Sequence, residues 1–91
     1  MVRAKFTVKS IARDFYPKSI KLDDGSYKSE PRELHTVTLT PVYGNGDPNH
    51  ENTKFWEASP TGEIKLGTIN AEAASQFELG KEYYIDFTKA E

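Results

Sequence analysis

Ninety-one residues is the length of one small domain. The chain carries 12 Lys and Arg against 14 Asp and Glu, 36% apolar residues and no cysteine, which excludes disulfide staples, thiolate metal knuckles and thiol chemistry. No apolar run approaches the ~20 residues of a membrane-crossing helix, and the composition is neither collagen-like nor that of a strongly disordered chain.

At the start of the chain, Val2, Ala4, Phe6 and Val8 alternate with Arg3, Lys5, Thr7 and Lys9, the period of a half-buried strand. The phase slips at Ser10-Ile11, where a bulge or bend is expected. The opening Met1-Val2-Arg3-Ala4-Lys5 is basic but leads into this alternation and not into the apolar stretch of a signal peptide, so the expectation is a protein that stays where it is made. Asp23-Asp24-Gly25-Ser26 is a turn, because glycine tolerates the positive φ of tight hairpins. Ile20 and Leu22 precede it and Tyr27 follows, which predicts a projecting β-hairpin over residues 18–29, bracketed by Pro17 and Pro31.

Residues 34–43 form the next expected strand, with His35, Val37 and Leu39 on one side and Thr36, Thr38 and Thr40 on the other. Pro41 cannot donate to a ladder and marks an edge or a bulge. Residues 44–52 are a loop rich in Gly, Asn and Asp. A further strand is predicted over residues 53–58, then a turn at Ser59-Pro60-Thr61-Gly62 and a strand over 63–69 with Ile64 and Leu66 inward. Asn70 reads as the N-cap of a short helix, with Ala71, Ala74 and Phe77 on one face. The last strand has Tyr83, Ile85 and Phe87 inward and Glu82, Tyr84, Asp86 and Thr88 outward. Five or six short strands, one small helix and no βαβ rhythm predict a single all-β domain over residues 1–91, a small barrel of the oligonucleotide-binding (OB-like) type.

Groups that carry chemistry are sparse. There is no Gly-x-Ser-x-Gly elbow, and Gly44-Asn45-Gly46 lacks the lysine and the βαβ setting of a phosphate loop. His35 shares its face with Val37 and Leu39 and reads as a partly buried, hydrogen-bonded residue. Asp47, His50 and Glu51 lie close together, but their spacing is not that of a calcium loop, and Asp47-Pro48 reads as turn initiation. The expectation is therefore a protein that is not an enzyme and uses no metal or other cofactor.

Net charge hides an asymmetry. Residues 1–32 hold eight Lys and Arg against four acids, while residues 33–91 hold four Lys against ten, giving +4 and −6. Taking the apolar row of each strand as inward, the outward rows bring Arg3, Lys5, Lys9, Lys65 and Tyr84 to one face. Lys54 and Trp56 join them if Phe55 points inward, with Tyr43 at the loop mouth. Exposed aromatics among lysines suit single-stranded nucleic acid, since bases stack on rings at ~1–3 kcal/mol each and lysines track phosphates. The opposing reading is an ordinary solvated sheet face with Trp56 in the core, because Glu57 or Glu63 and Asp86 share the outward rows.

Leu39-Thr40-Pro41-Val42-Tyr43, Glu51-Asn52-Thr53-Lys54-Phe55-Trp56, Ala58-Ser59-Pro60-Thr61-Gly62 and Gly80-Lys81-Glu82-Tyr83-Tyr84-Ile85-Asp86-Phe87-Thr88 resemble small uncharacterised proteins encoded by tailed bacteriophages. The resemblance implies a phage origin and work in the host cytoplasm, and none of its motifs is catalytic. Residues 14–32 form a longer insertion than that pattern carries. Three functions follow as expectations. The leading one is single-stranded nucleic-acid binding. The others are an anti-defence or host-interaction role, binding a host protein or signalling nucleotide, and service as a virion structural or decoration protein whose hairpin and edge strands assemble into homo-oligomers.

Overall fold

Apolar residues at alternate positions draw the first strand out over 20 residues, and a computed structural model describing residues 1–91 shows what it pairs with. The elements are β1 (Val2–Lys21), β2 (Tyr27–Pro41), α1 (Glu51–Trp56), β3 (Ile64–Thr68), α2 (Ala71–Ala74) and β4 (Glu82–Phe87). The strands form one antiparallel sheet in the order β3-β2-β1-β4. The chain is mostly β, with a single open four-stranded sheet and two short helices. The closed barrel of five or six strands is not formed, because residues 53–58 are mainly helix and the outer edges of β3 and β4 have no partner strand.

The expected phase slip is a β-bulge. Val8 pairs with Leu39 and Ser10 with Thr38, leaving Lys9 as the extra residue. One additional residue transfers the inward row from even to odd positions. Ala4, Phe6 and Val8 therefore share a face with Ile11, Val37, Leu39, Ile64, Leu66, Tyr83, Ile85 and Phe87. The other face carries Arg3, Lys5, Thr36, Thr38, Thr40, Lys65, Glu82, Tyr84 and Asp86. The apolar face of the four-stranded part is thus uncharged, and its buried centre is Ala4, Phe6, Val8, Val37 and Leu39.

The hairpin is longer than residues 18–29. β1 and β2 stay paired from Phe6↔Pro41 out to Lys21↔Tyr27, while β3 reaches only His35 and β4 only Thr7, so residues 12–34 project as a two-stranded arm. Its tip is the expected turn, with Gly25 at φ +88° and Asp24 accepting from the N–H and hydroxyl of Ser26. Pro17 and Pro31 face each other across the ribbon. The bond from Leu22 N–H to Ser26 O fixes even-numbered β1 residues as the hydrogen-bonded pairs, so both prolines stand where an N–H would point away from the ladder. Neither costs the arm a bond, and both blunt its outer edges.

The predicted strand over residues 53–58 is the clearest correction. His50 Nδ1 accepts from Asn52 N–H at 3.0 Å and so caps the segment, with Glu51 in the first turn and Lys54 in the last, as the backbone dipoles favour. Glu57, at φ 54°, closes the helix through its N–H to Thr53 O. Helical spacing puts Asn52 and Trp56 on one side. Asn52 is fully buried and Trp56 packs on Phe6, whereas Phe55 is exposed. The Asn52 amide accepts from Lys5 N–H at 2.7 Å and donates to Lys5 O and Val42 O at 2.7 and 2.6 Å. It occupies the edge of β1 just beyond Phe6, where pairing with β2 ends.

Asn70 caps α2 as expected, accepting from Glu72 and Ala73 N–H, and Ala74 is buried. Phe77 then packs on Tyr83 at 5.6 Å, and the Tyr83 hydroxyl donates to Gln76 O and accepts from Glu78 N–H. Trp56 and Phe77 are the side chains of the non-strand segments that pack on the apolar core.

Replacing Asn52 by Ala leaves buried backbone groups of Lys5 and Val42 without their amide partner, a loss of about 2–4 kcal/mol. Urea unfolding is expected to show a lower midpoint at unchanged slope. Asn52→Asp, which keeps the acceptor but loses both donors, is expected to destabilise as well.

Candidate functional site: two faces of one sheet

Of the eight residues that the sequence assigns to a binding face, three meet. Arg3 and Lys5 of β1 flank Tyr84 of β4, with the guanidinium 4.7 Å and the ammonium 5.3 Å from the ring centroid. Register explains the meeting, since Lys5 pairs with Tyr84 and Arg3 with Asp86. Both cations are already engaged. Arg3 makes a bidentate pair with Asp86, at 2.7 and 2.9 Å, and Lys5 lies 3.7 Å from Glu82. The Arg3 guanidinium, bonded to Asp86 and opposite in charge, holds that carboxyl below the usual range and is itself raised. Glu51 is also held low, first by its own backbone N–H and then by the Tyr84 hydroxyl.

Of the other five, Lys54 adjoins Arg3 and the remaining four are dispersed. Lys9 is the exposed bulge residue, and Lys65 sits across Thr38 on β3, separated from Tyr84 by two strands. Lys54 is exposed on α1 beside Val2, Arg3, Glu51 and Phe55. Tyr43 lines a different cleft with Gly44, Thr53, Glu57 and Pro60. Trp56 is not on the polar face. Its ring packs on Phe6 and its indole N–H donates to Thr61 O at 3.1 Å.

His35 is half satisfied. Its Nε2 lies 3.0 Å from Glu33, but the buried Nδ1 has no partner. His50 is occupied as the cap of α1, and Asp47 accepts from Asn49 N–H in the loop.

Sequence reasoning missed the larger feature, which is apolar. Leu39, Ile64, Leu66, Phe77, Ile85 and Phe87 line a groove of about 590 Å³ on the uncharged face. Residues of both outer strands line it, so the sheet curls and this face is concave. Beyond the four-stranded part, the arm continues the same face with Phe15 and Tyr27, 73% and 65% exposed, while Tyr16 is exposed on the opposite one. The signal was present in the adjacent pair Phe15-Tyr16, since neighbours on a strand point to opposite faces and a two-stranded ribbon cannot bury both. The arm's charges balance, with five Lys and Arg against five acids over residues 12–34.

No protein-family model, no curated protein and no solved structure matches the chain.

The Arg3–Asp86 pair predicts a pH signature. A carboxyl whose folded pKa is depressed contributes stability above its unfolded pKa, and that contribution is lost as pH falls through the folded value. Asp86→Asn is therefore expected to lower the urea midpoint at pH 7, and the two midpoints are expected to converge as pH falls through and below the ordinary carboxylate range.

Proposed function

We propose that the chain is a non-enzymatic protein-docking module, built into an assembly through its arm and its apolar face, as in the virion structural reading of the phage resemblance. The observation that carries this is the exposure of the arm's aromatic residues, Phe15, Tyr16 and Tyr27, on a ribbon with no core of its own. Ordering them against a partner removes large apolar area from water, and aromatic anchors of this kind dominate protein interfaces. The sheet is read as an OB-like barrel left open between β3 and β4, which keeps the concave face available.

A second reading, single-stranded nucleic-acid binding, is favoured by one observation, the half-exposed Tyr84 ring between Arg3 and Lys5. Asp86, Glu82 and Glu51 around those two cations weigh against it, because a phosphate must displace or outlast them. The docking reading is therefore preferred.

Two measurements separate the readings. Mass spectrometry of purified phage particles is expected to find the chain among the structural proteins, and to lose it when Phe15 and Tyr27 are both changed to Glu. A chain found in infected cells but in neither particles nor any larger complex ends the docking reading. Fluorescence anisotropy with oligo-dT at low salt is expected to show no saturable binding. Saturable binding that Tyr84→Ala abolishes would establish the second reading instead.

A further inference from the structure

We propose that the concave apolar face is covered by a second copy of this chain, in a two-fold dimer where each arm lies in the other's groove. The inference rests on the docking reading and names its partner.

The first support is area. The chain exposes 6747 Å² for a mass of 10.3 kDa, whereas a folded monomer of that mass exposes about 5,350 Å². The excess of about 1,400 Å² exceeds the roughly 800 Å² that each partner gives to a standard interface. Only nine of 91 residues are buried. The Cα radius of gyration is 17.7 Å, against about 12 Å for a compact chain of this length. A sheet amphipathic across its faces needs a second layer, and Trp56 and Phe77 supply only part of one.

The second support is placement. Groove and arm lie on the same face of one continuous sheet, because the bulge at Lys9 keeps Phe15 in phase with Val8 and Val37. Two copies set face to face and antiparallel along their long axes then bring arm onto groove twice, through one self-complementary surface that closes. A concave body receives a narrow ribbon. Most of the charge at the contact is matched within each copy. The groove offers mainly apolar side chains, with Asp86 at its margin already paired to Arg3. The charge beside Phe15 is the internally matched pair Arg13–Glu33, at 3.0 Å, which leaves Lys21, opposite Tyr27, as the arm's further charge on this face. Pro17 and Pro31 blunt the arm's edges, which leaves its faces to make the contact.

The absence of cysteine gives a direct test on the full chain. Phe15→Cys/Leu66→Cys, at two exposed positions, is expected under mild oxidation to give a covalent dimer and nothing larger. Sedimentation velocity of the unaltered chain is expected to show a dimer that dissociates on dilution. Phe15→Glu or Leu66→Glu alone is expected to weaken it roughly tenfold or more, with circular dichroism unchanged. Mixing the two Glu variants is expected to recover part of the dimer, since the mixed pair keeps one intact arm-in-groove contact. A ladder of larger cross-linked species would overturn the two-fold arrangement. A monomer at every concentration would overturn self-pairing, and if that monomer still enters particles or complexes, the docking reading survives without it. Binding of an extended peptide to such a monomer, between β3 and β4, would also overturn the proposal by assigning the groove another occupant.

Discussion

The side chain of Asn52 takes over the edge of β1 where β2 turns away, and much of the molecule depends on that substitution of an amide for a strand. Lys5 would otherwise present a backbone donor and acceptor toward the protein interior with only Val42 N–H to meet them. A primary amide can both accept and donate along one strand edge, as a peptide group does. By holding α1 there, Asn52 also fixes Trp56 over Phe6 and brings Phe55 to 6.4 Å from Phe87. One buried polar group therefore positions one end of the apolar face. Buried polar groups fully satisfied in this way specify a unique arrangement, because any slip leaves them unpaired at low dielectric.

The bulge at Lys9 does for the arm what Asn52 does for the body. Without it, the odd-numbered residues beyond Ser10 would fall on the polar face, and Phe15 would stand with Thr38 and Tyr84 instead of with Val37. One residue of irregularity thus keeps Ile11, Phe15 and Tyr27 on the face of the groove, interspersed with Arg13, Glu33, Ser19, Ser29 and Lys21. The polar face, by contrast, is closed on itself. Arg3 and Lys5 are matched by Asp86 and Glu82, and Arg13 and Arg32 by Glu33 and Glu30, so half of the cations of residues 1–32 are paired with acids. Charge summed along a sequence says little about local potential when strand pairing places cations such as Arg3 beside an acid.

How much of this could be read from the residues depends on which interaction decided each element. Period-2 alternation located the body halves of β1 and β2, together with β3 and β4 and a phase slip next to the bulge at Lys9, because side-chain burial is written directly into that pattern. The Asn70 cap and the Asp24-Gly25 turn were legible because their bonds are made within three residues. Residues 53–58 were misread as a strand because their aromatics favour strands, while the helix is set by a local cap from His50, outside the usual Ser, Thr, Asp and Asn caps, and by a tertiary bond to Lys5. The same error put Trp56 on the wrong side and added a strand, which made a closed barrel seem affordable in so short a chain. Of the assigned face, Arg3, Lys5 and Tyr84 came together because register follows phase, and Lys54 reaches Arg3 from α1, whereas the positions of Lys9, Tyr43, Trp56 and Lys65 depended on the bulge, the strand order and the helix.

The two prolines sharpen the contrast between edge and face. An exposed two-stranded ribbon is a template for strand addition, and proteins that avoid it place residues unable to donate along the outer edge. Pro17 and Pro31 do this on both edges at the same level of the arm, at positions where the ladder loses nothing. Yet the faces at that level keep Phe15, Tyr16 and Tyr27 in water. If solubility alone had shaped the arm, polar residues at those three positions would have been simpler, since no contact in the body needs an aromatic there. Blocked edges beside unshielded rings therefore describe a segment arranged to pack by side chains in a defined orientation and not to extend a sheet indefinitely. Face packing limits stoichiometry through the shape of the two surfaces, whereas edge pairing leaves a new free edge at each addition.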